Sequence, residues 1–503
     1  MTTNEMHSSA ETEPLLAHAT DRLKSKKLLI FIVCGIFILS SDFGFYMSNA
    51  PQLAVFQDII CRNYKATLHR AGDVLAPGSP SDLNPCKSEA VQGELALVIG
   101  YKETLEALPG LVLALPYGVL SDRYGRKPIL CLGILGIVLG ELWVRVVCLW
   151  ANVIPLRMVW LSALFRTIGG GEQVMTSVAL VMVADVFSED ERSTILFRLQ
   201  SCVIIAEILA TPLSAYLMTF GPMYPYILSI GIVIVGSLLA LFLPETLEDA
   251  KAKQVNQAEP QTEPENLHSG KRTMLQELTR QVHEFASSTR FIWSDLNICM
   301  VIVVLFVTVM SRQCTNILLQ YVSTKFDWSI SRSSLLISLR GIFSLVTYLV
   351  LMPSVSFIAA KYFNIHGKRS DHVMSKGSGI LSVIGFIAVS IAPTPAILIA
   401  GQVILSIGTA FAVTMRSLAT SLVLPDHVGT LYSAIAIVQG LGVLISGPLF
   451  ANLFRLGMHL GNAWLGLPFL LAALFFVIAV AVVWNIKLEP LRGNNEEQEA
   501  LLS

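Results

Sequence analysis

About twelve apolar stretches, each long enough to cross a membrane as a helix, run through this sequence and leave it few folds. A hydrocarbon core of ~30 Å needs about 20 mainly apolar residues at ~1.5 Å rise each. The stretches lie at about 28–49, 95–119, 128–150, 157–186, 195–219, 224–243, 297–323, 332–360, 376–393, 396–424, 430–454 and 464–485. Strands of a membrane barrel would be ~10 residues long and alternate in polarity. These runs are longer and do not alternate, so helices are expected. Only 14% of the 503 residues are charged, against roughly 25% in a soluble domain. That excludes a water-soluble enzyme, a disordered chain and a disulfide scaffold. Lys and Arg number 35 against 36 Asp and Glu, so bulk charge does not draw the chain to nucleic acid, and none is expected as a partner. The expected class is an all-α membrane protein with the lipid bilayer as its solvent.

Basic residues in the connections set the orientation. With the N-terminus in the cytosol, inside connections hold Lys26, Lys27, Arg123, Arg126, Lys127, Arg192, Lys251, Lys271 and Lys368, among others. The outside connections hold a smaller set, including Arg62, Lys87, Arg157 and Arg332. The expected order is a cytosolic tail (1–27), a six-helix half (28–244), a cytosolic linker (245–295), a second six-helix half (296–486) and a cytosolic tail (487–503). The first half carries a long outside loop over 50–93. The polar start is too long and acidic for a signal-peptide n-region, so the first apolar run is expected to act as an uncleaved start signal. Within the linker, 256–266 reads as flexible and 273–293 as an amphipathic surface helix. Two halves of six helices are a frequent plan among transporters built from repeats.

Cys61 and Cys86 are the cysteines that fall outside apolar runs, in the expected outside loop. An oxidising compartment admits a Cys61–Cys86 disulfide; free thiols and pairing with another chain are the alternatives. The other six cysteines lie in spans, where apolar packing accounts for them. No Cys/His spacing suggests a metal, and no metal or cofactor is expected.

The sharpest local signal is Gly118-Val119-Leu120-Ser121-Asp122-Arg123-Tyr124-Gly125-Arg126-Lys127-Pro128, in the turn between the second and third spans. It closely resembles the G-x-L-x-D-R-x-G-R-K signature of the major facilitator superfamily. Leu164 to Gly170 is similar to the fourth-span signature of that family, with Arg166 followed by glycines. Ala184 to Arg192 resembles the inside end of the same span, and Pro244-Glu245-Thr246 the exit of the sixth. The resemblance implies the major facilitator fold, with twelve transmembrane helices in two six-helix halves. It further implies that Gly118, Asp122, Arg123, Gly125, Arg126 and Lys127 form a latch between conformations; Asp185 is the candidate partner of Arg126. Asp122 can stabilise a helix N-terminus there. Gly367-Lys368-Arg369 reads as a worn second copy without the acid. The fifth-span antiporter signature is reduced to Ala210-Thr211-Pro212-Leu213-Ser214-Ala215. In style the chain resembles fungal facilitators of secondary-metabolite pathways and, more remotely, the animal proton-coupled folate transporter group.

Ionisable residues within spans are costly and usually functional. Asp42 lies ~20 Å from the inner edge of its span, with Glu141 and Glu207 at similar depth. Glu103 descends ~10–12 Å from the outer edge into the same layer, and Arg166 lies near mid-membrane. The second half supplies Arg312 and Arg340. The expected site is a polarised cavity in which acids exchange protons and Arg312 and Arg340 hold a substrate carboxylate or phenolate. Simpler readings stand beside it: Glu141 and Arg145 neutralise each other four residues apart, Glu103 and Glu106 sit in a wet outer funnel, Asp42 satisfies backbone, and Arg416 snorkels.

The expected function is a secondary active transporter that moves a small organic molecule by alternating access, driven by protons. Export of a secondary metabolite or xenobiotic leads; import of a nutrient or organic anion, and sensing without transport, are the alternatives. No Walker motif appears, so ATP is not the direct energy source, and no GxSxG or HExxH appears, so no enzyme is expected. A monomer is expected. Acidic dileucine patterns at Glu11 to Leu16 and Glu497 to Leu502 add vacuolar or endosomal membranes to the favoured plasma membrane.

Overall fold

The computed structural model describes residues 5–71, 85–187, 189–247, 280, 295–363, 368–423 and 428–486. The C-terminal dileucine pattern, nearly all of the linker (of 273–293, all but position 280), and Gly367 lie outside the described residues, as do the side chains of Glu11 to Leu16. Among the described residues there is no strand, and eleven helices are long and apolar enough to cross a membrane, or twelve if one bent pair is a single span. The protein is an all-α membrane protein.

Contacts divide the chain into two compact units, Met1–Gln281 with Val322–Ser338 and Val282–Tyr321 with Leu339–Ser503. The first unit contains α1 (Glu5–Ala71), α2 (Glu89–Tyr124), α3 (Arg126–Leu149), α4 (Ser162–Arg166), α5 (Gly171–Val186), α6 (Glu189–Leu217) and α7 (Met223–Ala240). Its core joins Ile30, Val33 and Phe37 of α1 to Ile129, Leu130 and Ile134 of α3 and Val174, Val178 and Met182 of α5. Large apolar residues of this unit, such as Phe242 at 72% and Val112 at 62% exposure, stand exposed, as suits contact with lipid.

Two features of this unit depart from the sequence reading. The loop expected over 50–93 is helical as far as Ala71, because α1 continues through Pro51. Leu53, Phe56 and Ile59 are buried at a spacing of three, so this extension is an amphipathic helix rather than a fully apolar span. Cys61 on the extension and Cys86 in the short turn Pro85–Lys87 form a disulfide, Cα to Cα 5.0 Å. The turn holds Lys87 against Asp327, and Lys87 Nζ donates to Ser323 O at 3.0 Å.

The fourth span, expected as one helix over 157–186, is broken. Leu156–Arg166 and Ile168–Val186 meet at 93°. Gly169, Gly170 and Gly171 have φ of +81°, +77° and +71°, where side-chain-bearing residues are strained. A Cβ on Gly169 would lie 2.2 Å from Gly133 N on α3. The three glycines let the chain turn sharply while its backbone touches α3.

The second unit is built from α8 (Leu296–Gln313), α9 (Leu318–Phe326), α10 (Ile330–Val346), α11 (Met352–Phe363), α12 (Lys368–Ile391), α13 (Pro395–Gly408), α14 (Ala410–Ser421), α15 (Val428–Leu460) and α16 (Leu467–Asn485); the end of α9 and start of α10 pack with the first unit. A π turn over Thr347–Leu351 separates α10 from α11, just before Pro353, whose ring and missing N–H disturb the preceding turn. Tyr321 is buried against Phe469 and donates to Val389 O at 2.7 Å.

Candidate functional site

Burying a charge is costly unless it is paired and hydrogen-bonded. The first unit meets that cost with one connected network on α2, α3 and α4. Lys102 and Glu106 are four apart on α2 and pair at 2.9 Å. Arg166, at the end of α4, places Nη2 3.1 Å from Glu106 Oε2 and 3.1 Å from Glu141 Oε1 on α3. Glu141 Oε2 accepts from Arg145 Nη1 at 2.8 Å, and Ser162 Oγ donates to Glu106 Oε1 at 2.5 Å. One guanidinium is thus shared between two carboxylates, each of which has a second cation of its own. Arg145 is fixed more rigidly: Nε donates to Tyr226 O at 3.0 Å, Nη2 to Ser229 Oγ at 3.0 Å, and its guanidinium lies 4.3 Å from the Tyr226 ring centroid. Arg145 therefore staples α3 to α7, and Arg166 is the member with alternatives.

The break in the fourth span explains why Arg166 reaches both acids. Upstream of the glycines, the segment is pinned to α2 and α3: Arg157 pairs with Glu94 at 2.8 Å, Trp160 Nε1 donates to Val98 O at 3.1 Å, and Trp143 Nε1 to Met158 O at 2.8 Å. Arg166 ends this pinned segment, between α2 and α3.

A second cluster lies at the α2–α3 turn. Gly125, at φ +113°, joins the two helices. Arg126 Nη1 donates to Ser121 Oγ at 2.9 Å and pairs with Asp122, and its Nε is 3.4 Å from Asp185 Oδ2. Glu245 accepts from the backbone N–H of Arg126 at 2.9 Å and Lys127 at 3.1 Å, capping the start of α3. Burial works to raise the Glu245 pKa, but the N–H groups of Arg126, Leu247, Lys127 and Thr246 outweigh it and hold the carboxyl below its usual range. Thr246 Oγ1 closes the ring onto Asp185 Oδ2 at 3.1 Å. A cavity of ≈ 160 Å³ lies alongside, lined by Gly118, Ser121, Asp122 and Arg126 and by Val174 and Ser177 of α5.

The residues singled out from sequence fall as follows. Glu141 and Arg166 are in direct contact, and so are Arg126, Asp122 and Asp185. Asp42 is half-buried on α1, within electrostatic reach of Glu172 and Glu207, in a carboxylate group distinct from the bonded network. Glu103 is half-buried on α2, and the bonds to Arg166 are made by Glu106 instead. The wet-funnel reading of Glu106 is therefore corrected: its side chain is only 10% exposed. Lys102 and Glu106, four apart, share a face of α2, and on that face it is Glu106 that meets Arg166. Lys102 was missed altogether; the i, i+4 Lys–Glu pair inside an apolar run was the available signal. The N-terminal capping offered for Asp122 is performed at α3 by Glu245, while Asp122 pairs with Arg126. Arg123 and Lys127 make no described ion pair; Arg123 lies 6.0 Å from the Tyr124 ring centroid. In the second unit, Arg340 Nη1 is 3.4 Å from Thr315 Oγ1 and Arg312 is exposed. Arg416 does not merely snorkel: Nη2 donates to Gln439 Oε1 at 3.0 Å. At the start of α12, Asp371 accepts from Ser417 Oγ at 2.6 Å, so an acid occurs after the worn motif rather than within it.

The family model described as Major Facilitator Superfamily matches residues 96–308 and 301–502. An MFS-type transporter, avaK, of Aspergillus versicolor is 35% identical over 480 residues, covering 95% of this chain and 96% of its own. An MFS efflux pump, atnC, of Emericella nidulans is 34% identical, covering 92% and 88%. Among solved structures, the nucleoside transporter NupG superposes with a TM-score of 0.60 at 12% identity, covering 92% of this chain and 99% of that one. That likeness speaks for the fold alone.

Proposed function

The chain belongs to the major facilitator superfamily of transporters, and from that premise we propose that it exports a small organic metabolite by proton-coupled alternating access. The observation that carries the coupling is Arg166 shared at 3.1 Å between Glu106 and Glu141. A proton on either acid removes its hold on the guanidinium and leaves Arg166 to the other, so protonation moves a fixed charge within the membrane layer. Asp42 and Glu207, with Glu172 beside them, make a second carboxylate group for proton entry or exit, and Glu103, Arg312 and Arg340 remain candidates for substrate contact. The outward direction is supported by the atnC relative, an efflux pump that matches along nearly the whole chain. The Asp122–Arg126–Asp185 cluster, with Glu245, is the latch of the cycle. We place the protein in the plasma membrane as a monomer.

The test compares cells carrying the protein, cells without it, and cells carrying Arg166→Ala. Small molecules are measured by mass spectrometry in medium and in cell extract separately. Compounds that accumulate in the medium and fall inside only with the active protein are the expected result. Faster disappearance from the medium would reverse the direction to import. An unchanged profile with Arg166→Ala would sink the coupling role of Arg166.

A further inference from the structure

The buried cations of the first unit differ in how fully their donors are used. Arg145 meets acceptors through Nε, Nη1 and Nη2. Among the described residues, Arg166 uses Nη2 alone, on two carboxylates, and its buried Nε meets no acceptor. Lys102 has, among the described residues, one acceptor, Glu106, for its three ammonium hydrogens. Its side chain is 8% exposed and that of Arg166 10%. Lys102 and Arg166 also converge on one atom. Glu106 Oε2 lies 2.9 Å from Lys102 Nζ and 3.1 Å from Arg166 Nη2. A carboxylate oxygen held by an ammonium and a guanidinium is an oxyanion seat, filled here by the protein's own side chain.

Two further observations favour an anion. The bonded set of Lys102, Arg145, Arg166, Glu106 and Glu141 holds three cations against two carboxylates. Glu172 also acts on Arg166, but it is exposed, where water screens it. The first residue of α5, Gly171, lies beside the backbone of Arg166: a Cβ there would be 3.7 Å from Arg166 Cβ and 3.8 Å from Arg166 O. A broken span brings the positive end of a half-helix to its break, the arrangement that suits an anionic group of a transported molecule.

We infer that Lys102 and Arg166 form the receptor for a carboxylate of the transported molecule, which takes the place of Glu106 between them. The inference rests on the transport reading in treating that carboxylate as cargo. It differs from the sequence reading, which assigned the substrate anion to Arg312 and Arg340. Glu106 is then an internal competitor, and its removal strengthens binding, which a purely structural role would not produce.

The experiment is equilibrium binding of radiolabelled benzoate to the purified full chain in detergent, with benzamide as an uncharged competitor of the same shape. Saturable benzoate binding that benzamide does not displace is expected. Glu106→Gln keeps the shape and removes the competing charge, so benzoate binding tightens about threefold or more, and Lys102→Met weakens it about tenfold. Should Lys102→Met fail to fold, Lys102→Met/Glu106→Gln restores charge balance and must bind more weakly than Glu106→Gln alone. Absence of saturable binding in both wild type and Glu106→Gln, equal competition by benzamide, or weaker binding in Glu106→Gln overturns the inference. Benzoate binding in a protein that exports nothing leaves the seat standing and removes the export reading. Export of uncharged compounds without benzoate binding does the reverse.

Discussion

Replacing Arg145 and Arg166 by Met, one at a time, should separate folding from transport. Arg145→Met deletes bonds to Tyr226 O, Ser229 Oγ, Glu141 O and Glu141 Oε2, together with the Tyr226 ring contact. Removing one partner of a buried ion pair costs about 3–5 kcal/mol, and this staple has little redundancy. Arg166→Met deletes two bonds, but Glu106 keeps Lys102 and Ser162, and Glu141 keeps Arg145. It also removes a buried Nε that has no acceptor, a relief worth about 1–3 kcal/mol. The two lost charge-assisted bonds, at about 1.5–3 kcal/mol each, exceed this relief and leave a net cost of about 2 kcal/mol, smaller than that of Arg145→Met. At about 2.1 cal/mol/K of unfolding entropy per residue, a 503-residue chain shifts by roughly 1 °C per kcal/mol, so Arg145→Met should lower the unfolding temperature by roughly 3–5 °C and Arg166→Met by about 2 °C. Size-exclusion chromatography of heated, detergent-purified protein reads the first quantity, and metabolite export from cells the second. Transport should vanish in Arg166→Met. If Arg166→Met is as destabilised as Arg145→Met and the surviving protein still transports, Arg166 is a structural ion and the reasoning is wrong.

Gly169→Ala meets backbone at 2.2 Å and an unfavourable φ, so it should cost about 2–4 kcal/mol and reduce folded yield, whereas Gly118→Ala, with nothing within 4 Å, should leave yield unchanged on the same size-exclusion trace. The Glu245 carboxyl is held below its usual range, so its contribution is fully present above the unfolded-state pKa and is lost as pH falls through the lower folded-state value. The gap in unfolding temperature between wild type and Glu245→Gln should therefore shrink on acidification; a gap that widens would contradict the capping role. Cys61→Ser should expose Cys86 to maleimide labelling without reductant, while the wild-type pair stays unlabelled until reduced.

The number and type of the spans were legible because each apolar run carries its own evidence: a helix in lipid must satisfy its backbone internally and present apolar side chains along its length. The α2–α3 turn was legible for a related reason, since Gly125 sets the turn itself and Arg126 meets Ser121 and Asp122 within five residues. What escaped depended on rotation and approach. Hydropathy cannot distinguish Glu103 from Glu106; the facing of α2 toward Arg166 does, and it also turns an unremarked Lys102 into part of the site. Likewise, Gly169-Gly170-Gly171 could be read as flexibility or close packing, until Gly133 of α3 is found against that backbone. Glu245 is 118 residues from the Lys127 N–H that it caps. Its role follows from the exit of α7 lying beside the entrance of α3, a proximity set by helix packing. Local chemistry established the spans and the turn; the ion network exists because separate helices, each with one or two affordable charges, bring those charges to one place where they satisfy each other.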